Sequence, residues 1–165
     1  MASTPRFALP FIAPGQAQKE LYHNEALQTL DMVAMPAVEE GPRDSPPVNP
    51  SLGACYIVGP SPTGAWAGEA HHLTGWTSGG WRFVAPAEGM TAYVRAASLP
   101  AVFRSGAWDV GAVRATALVI GGEQVVGPQA AAISSPSGGT TVDAEARATV
   151  VQILAALRQH GLIQP

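Results

Sequence analysis

Glycine and proline interrupt this chain so often that few stretches can stay regular for long. Its 165 residues include 18 Gly and 15 Pro. Proline fixes φ and removes a backbone donor, and glycine admits the turn conformations other residues avoid. The mixture therefore favours short strands joined by turns over a helical bundle. The length suits one compact domain with appended segments. The expected fold class is α+β, mainly β: an N-terminal extended arm and helix, a small antiparallel β domain (meander or sandwich) and a C-terminal amphipathic helix.

Residues 1–14 read as an extended docking arm, because Pro5, Pro10 and Pro14 forbid continuous helix. It carries Phe7, Leu9, Phe11 and Ile12, which would fray in water unless docked on its own domain or on a neighbour. A helix is expected over 15–35, with Tyr22, Ala26, Leu30 and Val33 on one stripe, Leu27 and Ala34 at its edge, and Ala17 and Leu21 nearly opposite. Either the helix breaks at His23–Asn24, with Asn24 capping a second piece, or it buries two faces. Residues 36–50, with five prolines, read as a linker whose Glu39, Glu40 and Asp44 are solvated charges.

From 51 to 127 short apolar runs bounded by turn residues imply an antiparallel β domain, and Gly121–Gly122 marks a hairpin over 116–126. A connector follows over 128–141 and a helix over 142–162. In that helix Ala146, Val150, Ile153 and Leu157 step by four, three and four, the spacing of a coiled-coil seam, with Leu154 beside it. Thr141 or Asp143 can cap its start, and Gly161 can close it in a Schellman turn with Leu162 against Leu157. The seam suits packing on the chain's own β domain and self-association equally.

Only 13% of residues are charged, about half the usual share, and a surface so poor in charge points to burial in an assembly. The net charge of −3 and scattered basic residues give no nucleic-acid footprint. No apolar run reaches the ~20 residues of a membrane span, and Phe7–Pro14 is too short and proline-broken for a signal peptide. Cys55 is alone and reads as a small buried residue; His71–His72 lacks metal-ligand spacing. No nucleophile elbow, phosphate loop or dinucleotide fingerprint occurs. No catalytic residue, metal or cofactor is expected. Trp66, Trp76 and Trp81 are the sharpest candidates for binding, as a stacking platform for a sugar ring; the competing assignment is core packing.

The opening "LPFIAPGQAQKELYHNEALQTLD", the middle "ACYIVG…TGAWAG…GGWRFVAPAEGM" and the ending "VIGGEQVVGPQAAAI…GGTTVDAEARATVVQILAALRQHGLI" resemble an alphaproteobacterial phage and prophage structural family. The resemblance covers nearly the whole chain. It implies a structural protein of phage-like particles, gene transfer agents included: a head-spike component, best placed as a spike base or adaptor. On that basis the partners would be further copies of the chain (trimer or pentamer), capsid vertex proteins and a spike fibre protein, with capsular polysaccharide as a further candidate. The particle would assemble in the cytoplasm. The residues expected at subunit interfaces are Phe7, Leu9, Phe11, Ile12, Leu21, Leu27, Leu30, Val150, Ile153 and Leu157.

Overall fold

Residues 2–11 do not extend; they fold back on themselves. A computed structural model describes residues 2–12, Gly15 and 19–165, so Pro14 and Ala17 lie outside the described residues. Thr4 N–H donates to Leu9 O (2.9 Å) and Phe11 N–H to Ala2 O (2.9 Å), with Ser3 bridging Pro10 in antiparallel fashion. The turn between them places Ala8 at φ 51°. This corrects the extended arm: it is a small hairpin, and it docks on its own chain. Its anchor is Asp31, a buried carboxylate that accepts from Thr4 Oγ1 (2.7 Å), Arg6 N–H (3.0 Å) and Phe7 N–H (2.7 Å).

Helix α1 spans Lys19–Val33. Its inner face is not the apolar stripe: Tyr22 is 76% exposed and Leu21 58%, with Leu30 exposed as well. Asp31 and Met32 are the buried residues. The reason lies in what the helix meets. Arg82 grips Glu25 with two parallel bonds of 2.9 Å, the hairpin needs Asp31, and Met32 enters the core. Those three positions set the helix's rotation. Asn24 does not cap a second piece; its side chain accepts from Ile12 N–H (2.9 Å) and donates to Ile12 O (3.2 Å).

Two sheets follow. One has the order β1(Ala37–Val38), β5(Thr91–Val94), β6(Leu99–Arg104), β7(Ala107–Val110); the other has β2(Cys55–Ile57), β3(Leu73–Thr77), β4(Gly80–Val84). All pairs in them are antiparallel except β1 with β5. Ser105 and Gly106, at φ 49° and 82°, make the two-residue turn between β6 and β7, the mirror-image turn whose twist suits a hairpin.

The stretch expected as a linker stitches these sheets together. Pro36 O accepts from Tyr93 N–H (2.8 Å) and Val38 O from Arg95 N–H (2.9 Å), while Glu39 and Arg43 donate to Cys55 O (2.9 Å) and Ile57 O (3.1 Å). Proline lacks a donor but keeps its acceptor, so a proline-rich strand can still be held by its carbonyls. Its charges are partnered too: Glu39 with Arg95, Glu40 with Arg43, and Asp44 Oδ1 with Ser61 N–H.

The core lies between the sheets. Val38, Ala92, Val94 and Ala101 from one meet Cys55, Ile57 and Leu73 from the other, with Met32 above Gly75. A β-carbon at Gly75 would press on the Met32 side chain, so glycine there leaves room for Met32 to pack against β3. A second cluster covers the far face of β2 and β3: Ala54, Tyr56, Val58 and Trp66, with Trp81 and Phe83 partly buried against it.

The β domain expected over 51–127 is divided. The chain forms two units, Met1–Ala112 and Val113–Pro165. The second contains the hairpin β8(Leu118–Ile120) and β9(Glu123–Val126) and helix α2(Ala144–Gln159). Every residue of β8 and β9 is exposed. In α2 the Asp143 side chain accepts from Ala146 N–H (2.8 Å). At its end Gly161 stands at φ 69°, with Gly161 N–H bonded to Arg158 O (3.0 Å) and Leu162 N–H to Leu157 O (2.9 Å), a complete Schellman closure. Ala130 then pairs in parallel with Ile163. The architecture is α+β and mainly β.

Candidate functional site

The three tryptophans singled out for sugar stacking sit together, but not as a platform. Trp76 and Trp81 are direct cross-strand partners on β3 and β4, their rings 4.9 Å apart and inclined at 60°. Trp66, on a 3₁₀ turn over Gly64–Trp66, meets Trp81 edge-on at 5.1 Å and Tyr56 at 5.9 Å. Trp66 is 0% exposed and Trp76 and Trp81 are half-buried. Rings that stack on one another at steep angles offer no flat apolar face to a sugar, and a fully buried ring offers none at all. Trp66 and Trp81 are core; Trp76 forms the rim of the same cluster. The signal for this was the alternation of Trp81 with Phe83, which puts both on the face that Tyr56 packs against.

Beside Tyr56 lies an open groove of about 660 Å³, lined by Arg6, Glu39, Glu40, Arg43 and Arg95. Burial, with Glu39 adding to it, pushes the Tyr56 phenol up from its usual range, so it stays a neutral hydroxyl. Both carboxylates are engaged by guanidinium groups, Glu39 by Arg95 at 3.0 Å and Glu40 by Arg43. Arg6 is spent on helix α1: it donates to Asp31 O (2.7 Å), Met32 O (3.1 Å) and Met35 O (2.6 Å), a cation placed where the helix dipole favours one. The groove thus carries paired charges and no nucleophile beside a base. Cys55 is buried, and burial pushes its thiol up, which disfavours the thiolate. His71 O accepts from Trp108 Nε1 (2.7 Å), and His72 Nε2 lies 3.6 Å from Glu69. Among the described residues no group of three or more His, Cys, Asp or Glu side chains could hold a metal ion.

The Arg82–Glu25 fork has a pH signature. The bonds from Arg82 hold the Glu25 carboxyl below the usual range, against a smaller opposing effect of burial. Because the folded-state pKa is the lower one, the fork's contribution is fully present above the unfolded value of about 4.3 and is lost as pH falls through the folded value. The side chain is about half exposed, so the contribution stays under about 1 kcal/mol. The stability difference between the parent and Glu25→Gln, measured in urea, should be constant from pH 8 to 5 and shrink below pH 4. A gap that widens on acidification would show that the fork does not form.

The expected interface residues divide between two places. Phe7, Ile12, Leu21 and Leu30 are exposed on the hairpin and α1, whereas Leu9, Phe11 and Leu27 are half-buried under them. Val150 and Ile153 are exposed on α2, while Leu157 is half-buried. What the sequence did not reveal is Asp31, the residue that holds the hairpin; its partners lie 24 to 27 positions away and leave no local pattern.

Taken together, fold and surface define an α+β protein with a two-sheet core and a separate, thinly packed C-terminal unit. The chain matches the DUF2793 family, described as proteins of unknown function, over residues 23–109, just over half its length, and belongs to that family. No curated protein matches it. The matched span runs from within α1 to β7; the N-terminal hairpin and the whole second unit lie outside it.

Proposed function

We propose that this chain is a structural component of a phage-like particle, a head-spike base or adaptor at capsid vertices, working in an assembly and not as an enzyme. One observation carries the assembly part of that reading. Among residues Val113–Pro165 only Leu154 and Ile163 are buried hydrophobic residues, while twelve large aliphatic side chains are exposed. A two-stranded hairpin and one 16-residue helix are marginal alone in water. At roughly half exposure, the twelve side chains leave on the order of 10 kcal/mol of burial unrealised. A partner surface supplies it. The low charge content and the exposed side chains of the N-terminal hairpin and α1 fit the same picture. Placement at a capsid vertex rests on the sequence motifs shared with phage and gene-transfer-agent structural proteins.

The test is to purify phage-like particles from a strain producing an epitope-tagged copy of the chain and to label them with gold-conjugated antibody. Gold at the capsid vertices is the expected result. Particles free of the tag, with the protein left in the soluble lysate, would remove this reading.

A further inference from the structure

Helix α2 has two faces with different obligations. One is used by its own chain: Leu154 is buried, Arg158 Nη2 donates to Ile133 O (2.6 Å), Arg147 donates to Gly138 O, and Ala130 brackets Ile163 with bonds to Leu162 and Gln164 of 2.9 Å each. Those contacts fix the helix's rotation. Turned roughly a quarter of a circle from them, at 100° per residue, is the row Ala146, Val150, Ile153, Leu157. Ile153 is 54% exposed and Val150 41%.

This row repeats at four, three and four residues, so Ala146 and Ile153 take the d positions and Val150 and Leu157 the a positions of a heptad. A heptad seam is self-complementary: the surface that best fits it is the same seam on another copy. The flanks agree. On the open side stand Thr149 and Ala156, and Thr149 turns its hydroxyl back onto Glu145 O (2.9 Å). No charge stands there to repel its own kind, and small flanking side chains let helices approach closely. On the other side the charges are Arg147 and Arg158, both tied to their own chain. The residue types fix no number: Val150 at a suits two strands, whereas Leu157 at a with Ile153 at d suits three or more.

We infer that α2 is a self-association helix through which copies of this chain join in parallel, by the seam Ala146, Val150, Ile153 and Leu157. The inference rests on the proposal that the chain works in an assembly, and it names the partner as the chain itself. The seam is shorter than three heptads, too short to hold by itself. The exposed aliphatics of β8 and β9 must add to the interface, which needs about 800 Å² from each copy.

The experiment is sedimentation of the purified full-length chain beside three variants. The parent should have at least twice the 17.0 kDa mass of one chain. Ile153→Glu should fall to the mass of one chain, and Gln152→Glu, on the adjacent exposed position, should keep the parent's mass. Oxidised Ile153→Cys should give covalently linked pairs, since parallel d positions meet across the axis. All four tryptophans lie in the first unit, so an unchanged tryptophan emission spectrum shows that Ile153→Glu has kept that unit folded. A parent of one chain, an Ile153→Glu form with undiminished mass, or no linked pairs from Ile153→Cys would each overturn the inference. Gold labelling of particles is read independently of these masses, so either proposal can fail alone.

Discussion

Trp66→Ala should lower the thermal midpoint of the first unit by about 12–20 °C. Removing a fully buried tryptophan costs roughly 3–5 kcal/mol, and for a unit of this size each kcal/mol moves the midpoint by about 4 °C or more. The ring is 0% exposed and is packed against Trp81 and Tyr56 at 5.1 and 5.9 Å. Tyr56 and Trp81 would lose a neighbour together, so the cavity would open into the whole aromatic cluster. Trp66→Phe should cost far less. It keeps an aromatic ring in place and removes the indole N–H, which has no acceptor among the described residues. Circular dichroism melts of the three proteins give the answer. An alanine variant within about 3 °C of the parent would mean that Trp66 does not fill the core, and its ring would again be a candidate for sugar stacking.

Asp31→Ala should release the N-terminal hairpin while leaving the two sheets standing. The Asp31 carboxylate receives Thr4 Oγ1, Arg6 N–H and Phe7 N–H at 2.7, 3.0 and 2.7 Å. Hydrogen bonds to a charged group are worth about 1.5–3 kcal/mol each, and a donor left buried without one costs a comparable amount. The loss cannot exceed the free energy that docks the hairpin, because the hairpin can simply detach. Amide exchange at Arg6 and Phe7 should therefore rise by about 100-fold or more, equivalent to about 2.7 kcal/mol. Trypsin should cut after Arg6 at least tenfold faster. The helix should hold, since Met32 and the Glu25–Arg82 fork are untouched. Exchange at the parent's rate would show that Asp31 is not what anchors the hairpin. Sequence analysis had offered two docking places for residues 1–14, the chain itself and a neighbour; the described residues dock on the chain itself, which leaves α2 as the better candidate for joining copies.

The pattern of α1 shows why a helical wheel can mislead. Tyr22, Ala26, Leu30 and Val33 make an apolar stripe, yet Tyr22 and Leu30 face solvent. The wheel weighs hydrophobicity alone. The structure weighs it against Met32, which enters the core, and against the buried Asp31 carboxylate, which receives three donors of the hairpin. Hairpin donors left buried without a partner cost more than exposed apolar side chains, so α1 turns Asp31 and Met32 inward. For the tryptophans a stacking platform and core packing were both open on sequence; the rings pack on one another, with Trp66 fully buried and Trp76 at the rim.

Both helices lie in stretches free of glycine and proline, 16–35 and 140–160, and their existence was legible from that and from the heptad spacing. So were the caps of α2 at Asp143 and Gly161 and the turn at Gly121–Gly122, because caps and tight turns depend on residues within a few positions of one another. The rotation of α1 depends on Arg82, 57 residues beyond Glu25. The hairpin's dock depends on Asp31, 27 residues beyond Thr4. The use of a proline-rich segment as a strand depends on β5, more than fifty residues further along the chain. Each of these is a hydrogen-bonding demand met across long separations. No local pattern records such a demand, and only the folded chain brings its two ends together.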